Sequence, residues 1–169
     1  RILRALKLVG QYDFKLEPAL GKAIREQAAT IHNASQARLF EELLKIFAKP
    51  YFAKTIDAFA DYGFLQHFLP NVSEVWRRGE TGKLMRSLMQ ERDRRKLEGT
   101  YWLSRRLALA TLVLPVVNQT ITGSDKFEWW EYEPGMDKQM RRQIRHLLEP
   151  LQTPKLLSQN VAQVIELLP

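Results

Sequence analysis

Apolar residues return every three or four positions along nearly the whole of this chain, and they rarely alternate with polar ones. A 3.6-residue period turns one face of a helix into a core, whereas a strand needs a period of two. The pattern predicts an all-α fold, an array of about seven to nine helices. With 169 residues, the chain can bury one substantial core or two small ones.

The helices can be placed one by one. The first runs from Arg1 to about Gln11. Pro18 suits the first turn of a second, which reaches about Ile31. Asn33 or Ser35 can cap a third, ending near Ala48, with Leu39, Phe40, Leu43, Leu44 and Phe47 as its apolar face. Pro50 opens a fourth. Phe52, Ile56 and Phe59 repeat along it, and Gly63 is its stop signal. Phe64 to Pro70 is an apolar corner. Gly79 to Gly82 reads as an exposed turn before a highly charged helix ending near Glu98.

The most apolar run, Leu107 to Val117, is too short for a bilayer span, which needs about 20 residues. Pro115 interrupts it, and it reads as part of a buried central helix from Trp102 to Leu114. Asn118 to Pro134 is the least regular stretch. Helices over Met136 to Leu148 and Pro154 to Leu168 close the chain. Composition shifts after Pro70, which divides the chain into units 1–70 and 71–169.

Catalytic signatures are sparse. There is no cysteine, which excludes disulfides, thiolate zinc sites and cysteine nucleophiles. His32, His67 and His146 are far apart and read as surface or packing residues. No glycine-rich phosphate loop and no Asp-x-Asp pair for two magnesium ions is present. No catalytic residue and no metal ligand is assigned.

Charge is the stronger signal. The net charge is +7, which favours an anionic partner. From Arg77 to Arg106 ten basic residues (Arg77, Arg78, Lys83, Arg86, Arg92, Arg94, Arg95, Lys96, Arg105 and Arg106) face four acidic ones. Such a stripe can follow a phosphate backbone through counterion release. Lys138, Arg141, Arg142 and Arg145 make a smaller patch that reads as a solvated helix face. The aromatic segment Phe127 to Tyr132 carries glutamates that would repel phosphate, so it reads as packing. Trp76 and Trp102 read as core. The opening helix puts Arg1, Arg4 and Lys7 along one edge, beside Ile2, Leu6 and Val9. A start on such a half-basic helix, without Met, suggests a piece of a longer protein.

Three segments carry a resemblance. Arg1 to Phe14 is similar to the stretch Arg-x-Leu-Arg-Ala-x-Arg-Phe-Ala of the class II tRNA nucleotidyltransferase and bacterial poly(A) polymerase superfamily, with Lys7 and Leu8 replacing the third Arg and the Phe. Ala37 to Lys45, Ala-Arg-Leu-Phe-Glu-Glu-Leu-Leu-Lys, and Tyr62 to Pro70, Tyr-Gly-Phe-Leu-Gln-His-Phe-Leu-Pro, follow in the same order and spacing.

The resemblance covers about the first seventy residues, and implies a helical neck over 1–70 and an RNA-binding body over 71–169, without the catalytic head. It implies a parent that uses magnesium and ATP to add AMP to RNA 3′ ends in the cytoplasm, away from membranes. Arg1 matches the arginine that templates the incoming base, with Arg4 in support. Arg38 and Glu42 match a pair that positions the template helix, and Lys7 joins the RNA-binding set. Rival readings are a CCA-adding enzyme and a non-catalytic helical module binding RNA or protein.

Overall fold

The computed structural model describes residues 1–100, 104–123, 136–149 and 155–166. Among these it is all-α, with ten α-helices, one short 3-10 helix and no strand. The helices are α1 (Ile2–Tyr12), α2 (Pro18–Gln27), α3 (Gln36–Phe47), α4 (Phe52–Asp61), α5 (Leu65–Phe68), α6 (Pro70–Trp76), α7 (Gly79–Leu97), α8 (Arg105–Thr122), α9 (Met136–Leu148) and α10 (Lys155–Glu166). The 3-10 helix, Ala28–Asn33, continues α2, so the expected second helix changes pitch before its end. The count exceeds expectation by one because the apolar corner at Phe64 to Pro70 winds into α5 and feeds α6.

Local chemistry explains most boundaries. Pro18 and Pro70 sit in the first turns of α2 and α6, where a missing N–H costs no hydrogen bond. Gly63 stops α4 with φ +68°. Its N–H reaches Ala60 O at 3.2 Å, and the Phe64 N–H reaches Phe59 O at 2.8 Å. The rings of Phe59 and Phe64 then meet edge to face at 5.0 Å, the apolar contact that accompanies this stop.

Two expectations are corrected. Gly79 to Gly82 is no exposed turn: α7 begins at Gly79, and Thr81 and Gly82 are buried. A Cβ on Gly82 would lie 2.3 Å from Val75 O and 2.8 Å from Trp76 O, so glycine lets α7 start against the end of α6. The central helix also runs on, through Pro115 to Thr122. Its residues from Ala108 to Val117, apart from Thr111, are buried, and packing against α6, α7, α9 and α10 outweighs the proline's missing hydrogen bond. Trp102, the Phe127 to Tyr132 segment and Pro154 lie outside the described residues.

One continuous core runs from Leu6 in α1 to Ile165 in α10. Phe47 and Phe52 stack at 4.3 Å. Trp76 is fully buried, and its indole N–H donates to Asp57 Oδ1 at 2.8 Å. Leu39, Phe40, Leu43 and Phe47 face this core as expected, with Ile46 in place of the half-buried Leu44.

Candidate nucleic-acid interface

The placement of α1 decides what its basic edge can do. Gly10 lies against α4 so closely that a Cβ would come within 2.4 Å of Thr55 Oγ1 and 2.5 Å of Thr55 Cα. With Leu6 fully buried beside it, this approach orients the helix. The face carrying Arg1 and Arg4 is left exposed.

Arg1 and Arg4 line a cleft of about 880 Å³, within the size range of small-molecule sites. Its opposite wall comes from the 3-10 turn and α3, with Thr30, Asn33, Ser35, Arg38 and Glu42. The structure thus brings Arg1, Arg4, Arg38 and Glu42 together from segments more than thirty residues apart. Thr30 was not singled out by sequence, and Asn33 and Ser35 were read only as helix caps, because nothing local marks a polar side chain as a cleft wall; Ser35 is the N-cap residue of α3 but makes no side-chain cap bond.

Glu42 does not pair with Arg38, its neighbour one turn away. Lys7 Nζ lies 3.2 Å from Glu42 Oε2 and Lys45 Nζ 2.8 Å from Oε1. The hydrogen bond from Lys45 leads in holding the Glu42 carboxyl below its ordinary range; burial opposes this, and Lys7 adds to it. Lys7 therefore bridges α1 to α3. The guanidiniums of Arg1, Arg4 and Arg38 make no ion pair among the described residues, so the cleft keeps an uncompensated positive field.

The basic stripe from Arg77 to Arg106 is less uniform than its composition. Arg92 is a correction to it: the side chain is buried, so it presents nothing to a phosphate. Its guanidinium donates to Lys49 O at 2.9 Å, pairs with Asp93, and lies 5.8 Å and 5.7 Å from the Phe47 and Phe52 ring centres. Several others are held by nearby acceptors. Arg94 bonds to Glu91 and Glu98, and Arg95 to Glu91. These bonds lower the Glu91 carboxyl to about 2, with Arg94 leading and Arg95 second. Lys83 pairs with Glu80 and Arg77 with Asp61, while Arg86 donates to Trp76 O.

Arg78, Arg105 and Arg106 are exposed, Lys96 half-exposed, and none of the four has a partner among the described residues. The field available to a polyanion therefore comes chiefly from these four. On α9, Lys138, Arg142 and Arg145 face solvent opposite buried Met140, Ile144 and Leu148.

His32 and His67 are neighbours in space, Nε2 to Nδ1 3.3 Å, with rings edge to face; the approach of α5 to the 3-10 turn is invisible in their spacing. Among the described residues no group of three or more His, Asp or Glu side chains could hold a metal ion. No helix of the described residues is long and apolar enough to cross a membrane.

Residues 13–75 match a family described as the probable RNA- and SrmB-binding site of polymerase A. Poly(A) polymerase I of Haemophilus influenzae is 33% identical over 73 residues, which are 43% of this chain and 16% of that protein. The chain thus spans about one sixth of the length of this relative. No solved structure matches. The three motif segments and these matches together show that the chain carries a region related to the bacterial poly(A) polymerases.

Proposed function

We propose that this chain is the neck and part of the body of a template-independent RNA nucleotidyltransferase that adds AMP to RNA 3′ ends. In this reading it binds RNA and helps choose the incoming base. The observation that carries the reading is the cleft between α1 and α3. Arg1, Arg4 and Arg38 line it, their guanidiniums have no carboxylate partner among the described residues, and one wall is built from the matched region. Arg1 presents paired donors to the edge of a base, which a planar, always-charged fork does well. Arg4 and Arg38 meet phosphate, and Lys7 and Glu42 hold α1 at the right angle to α3. RNA upstream of the 3′ end runs over Arg78, Lys96, Arg105 and Arg106. Magnesium and ATP chemistry belong to the longer polymerase.

The test is an incorporation assay on the full-length protein with RNA, magnesium and each nucleotide separately. Continuous addition from ATP alone is the expected result. Addition of two C and one A restricted to tRNA ends would move the protein to the CCA-adding branch. Absence of incorporation would leave a binding module. In the same assay, Arg1→Ala should blur the choice between ATP and the other nucleotides more than it weakens RNA binding; unchanged selectivity would remove Arg1 from the base site.

A further inference from the structure

The exposed face of α1 carries more than cations. At 100° per residue, Arg1, Arg4, Leu8 and Tyr12 fall within about 80° of one another, and all four are exposed. The stripe is cationic where it borders the cleft and becomes apolar toward the helix C-terminus. It ends in an aromatic pair: Tyr12 is 62% and Phe14 44% exposed, and their rings lie near parallel, 10° apart in orientation with centres 6.2 Å apart.

This pair is built rather than loose. Asp13 takes the left-handed conformation, φ 58° and ψ 34°, and its N–H closes on Val9 O. That turn ends α1 and brings Phe14 back beside Tyr12. Aspartate tolerates this conformation better than most residues. Lys54 Nζ holds the Asp13 carboxylate at 2.7 Å, the Tyr51 hydroxyl donates to Gln11 Oε1 at 3.0 Å, and the Leu16 N–H donates to the Tyr62 hydroxyl at 3.3 Å. The platform is thus mounted on α4 and the residues that flank it.

Large aromatic side chains normally serve burial. Two that are stacked, braced and left in solvent, at the end of a stripe whose guanidiniums have no ion-pair partner among the described residues, fit one ligand chemistry. Single-stranded nucleic acid combines a polyanionic backbone with bases whose faces stack on aromatic rings. We propose that Tyr12 and Phe14 form a stacking platform for unpaired bases of single-stranded RNA, whose phosphates run along α1 toward Arg4 and Arg1. A duplex would not use it, because its base faces are covered. The proposal rests on the RNA-binding reading above and adds a second site to it.

The test compares the full-length protein with its Tyr12→Ser/Phe14→Ser variant, by fluorescence anisotropy on a labelled oligoadenylate and on a blunt RNA duplex. A 2-aminopurine in the single strand reports stacking directly. The double variant should bind the single strand about tenfold more weakly or worse, since each stacked base contributes on that scale. It should lose the 2-aminopurine quenching, keep its duplex affinity, and keep its salt slope, because stacking releases no counterions. Tyr12→Phe/Phe14→Tyr should retain both affinity and quenching, which excludes a misfolded platform as the cause. Equal single-strand affinity in wild type and double variant overturns the platform while leaving RNA binding intact. A loss of self-association with unchanged RNA affinity also overturns it, in favour of a protein contact. Failure of the wild type to bind either RNA overturns the RNA reading itself.

Discussion

The carboxylate of Asp93, on α7, accepts a hydrogen bond from the backbone N–H of Ala53, in the first turn of α4, at 2.8 Å. It acts as the N-terminal cap that α4 lacks in its own sequence, since Tyr51 makes no side-chain cap bond. Its neighbour Arg92 donates to Lys49 O, just past the end of α3. One dipeptide therefore places a negative group at a helix N-terminus and a positive group at a helix C-terminus, as the two helix dipoles favour. Asp93→Ala should destabilise the fold by about 3 kcal/mol, because it leaves a buried guanidinium without this carboxylate. Asp93→Asn should cost less, as it keeps a cap acceptor. Urea denaturation of the three proteins checks both.

Burial pushes the Asp93 carboxyl above its ordinary value; the Ala53 N–H and Arg92 pull the other way without prevailing. A carboxyl with a raised folded value favours the native state when protonated, so its contribution grows as pH falls through that value. Glu42 has the opposite sign. Its lowered value gives stability present above the ordinary carboxylate range and lost as pH falls through the folded value. Glu42→Gln should therefore be weaker than wild type by about 0.5 kcal/mol at pH 7, and the gap should close in acid. A gap that persists at pH 2 would show packing, not charge, at this position.

Gly10→Ala tests the close approach of α1 to α4. Alanine favours helix by about 1 kcal/mol over glycine in general. Here its Cβ would meet Thr55 backbone atoms at 2.5 and 2.7 Å, which a side-chain rotation cannot relieve. We expect a net loss of about 2 kcal/mol and a clear fall in Tm. An unchanged Tm would mean that α1 can slide outward without cost.

Within the basic stripe, the ion pairs set an order of importance. Arg105→Gln/Arg106→Gln should weaken RNA binding more than Arg94→Gln/Arg95→Gln, because Arg94 and Arg95 already bond to Glu91 and Glu98. For each phosphate of a single strand that a variant no longer neutralises, the salt slope should fall by about 0.7. Equal slopes for the two double variants would mean that RNA breaks the local pairs on binding.

Sequence reading recovers what local chemistry dictates. The period of Leu39, Phe40, Leu43 and Phe47 marked a core face, Pro18 marked a helix start, and Gly63 marked a stop, whereas Pro50 lies two residues before α4 and the start of α6 at Pro70 went unread. Each signal lies within one turn of what it controls. Arg92 shows where that reading fails: among basic neighbours it looks like one more surface cation. Only the approach of α3 and α4, some forty residues away, buries it over Phe47 and Phe52.

By itself, then, the sequence determined the helical class, most helix boundaries and the kinship of its first seventy residues, because periodicity, caps and motifs act over short range. It also placed Arg1 and Arg4 on one edge of a helix. Tertiary structure alone decided that Arg38 faces them across a cleft, that Glu42 serves Lys7 rather than Arg38, and that Asp93 caps α4. It decided too that Asp13 turns Phe14 onto Tyr12. These outcomes depend on which helices pack together, and close packing against Thr55 or under Trp76 selects among arrangements that the local pattern leaves equivalent.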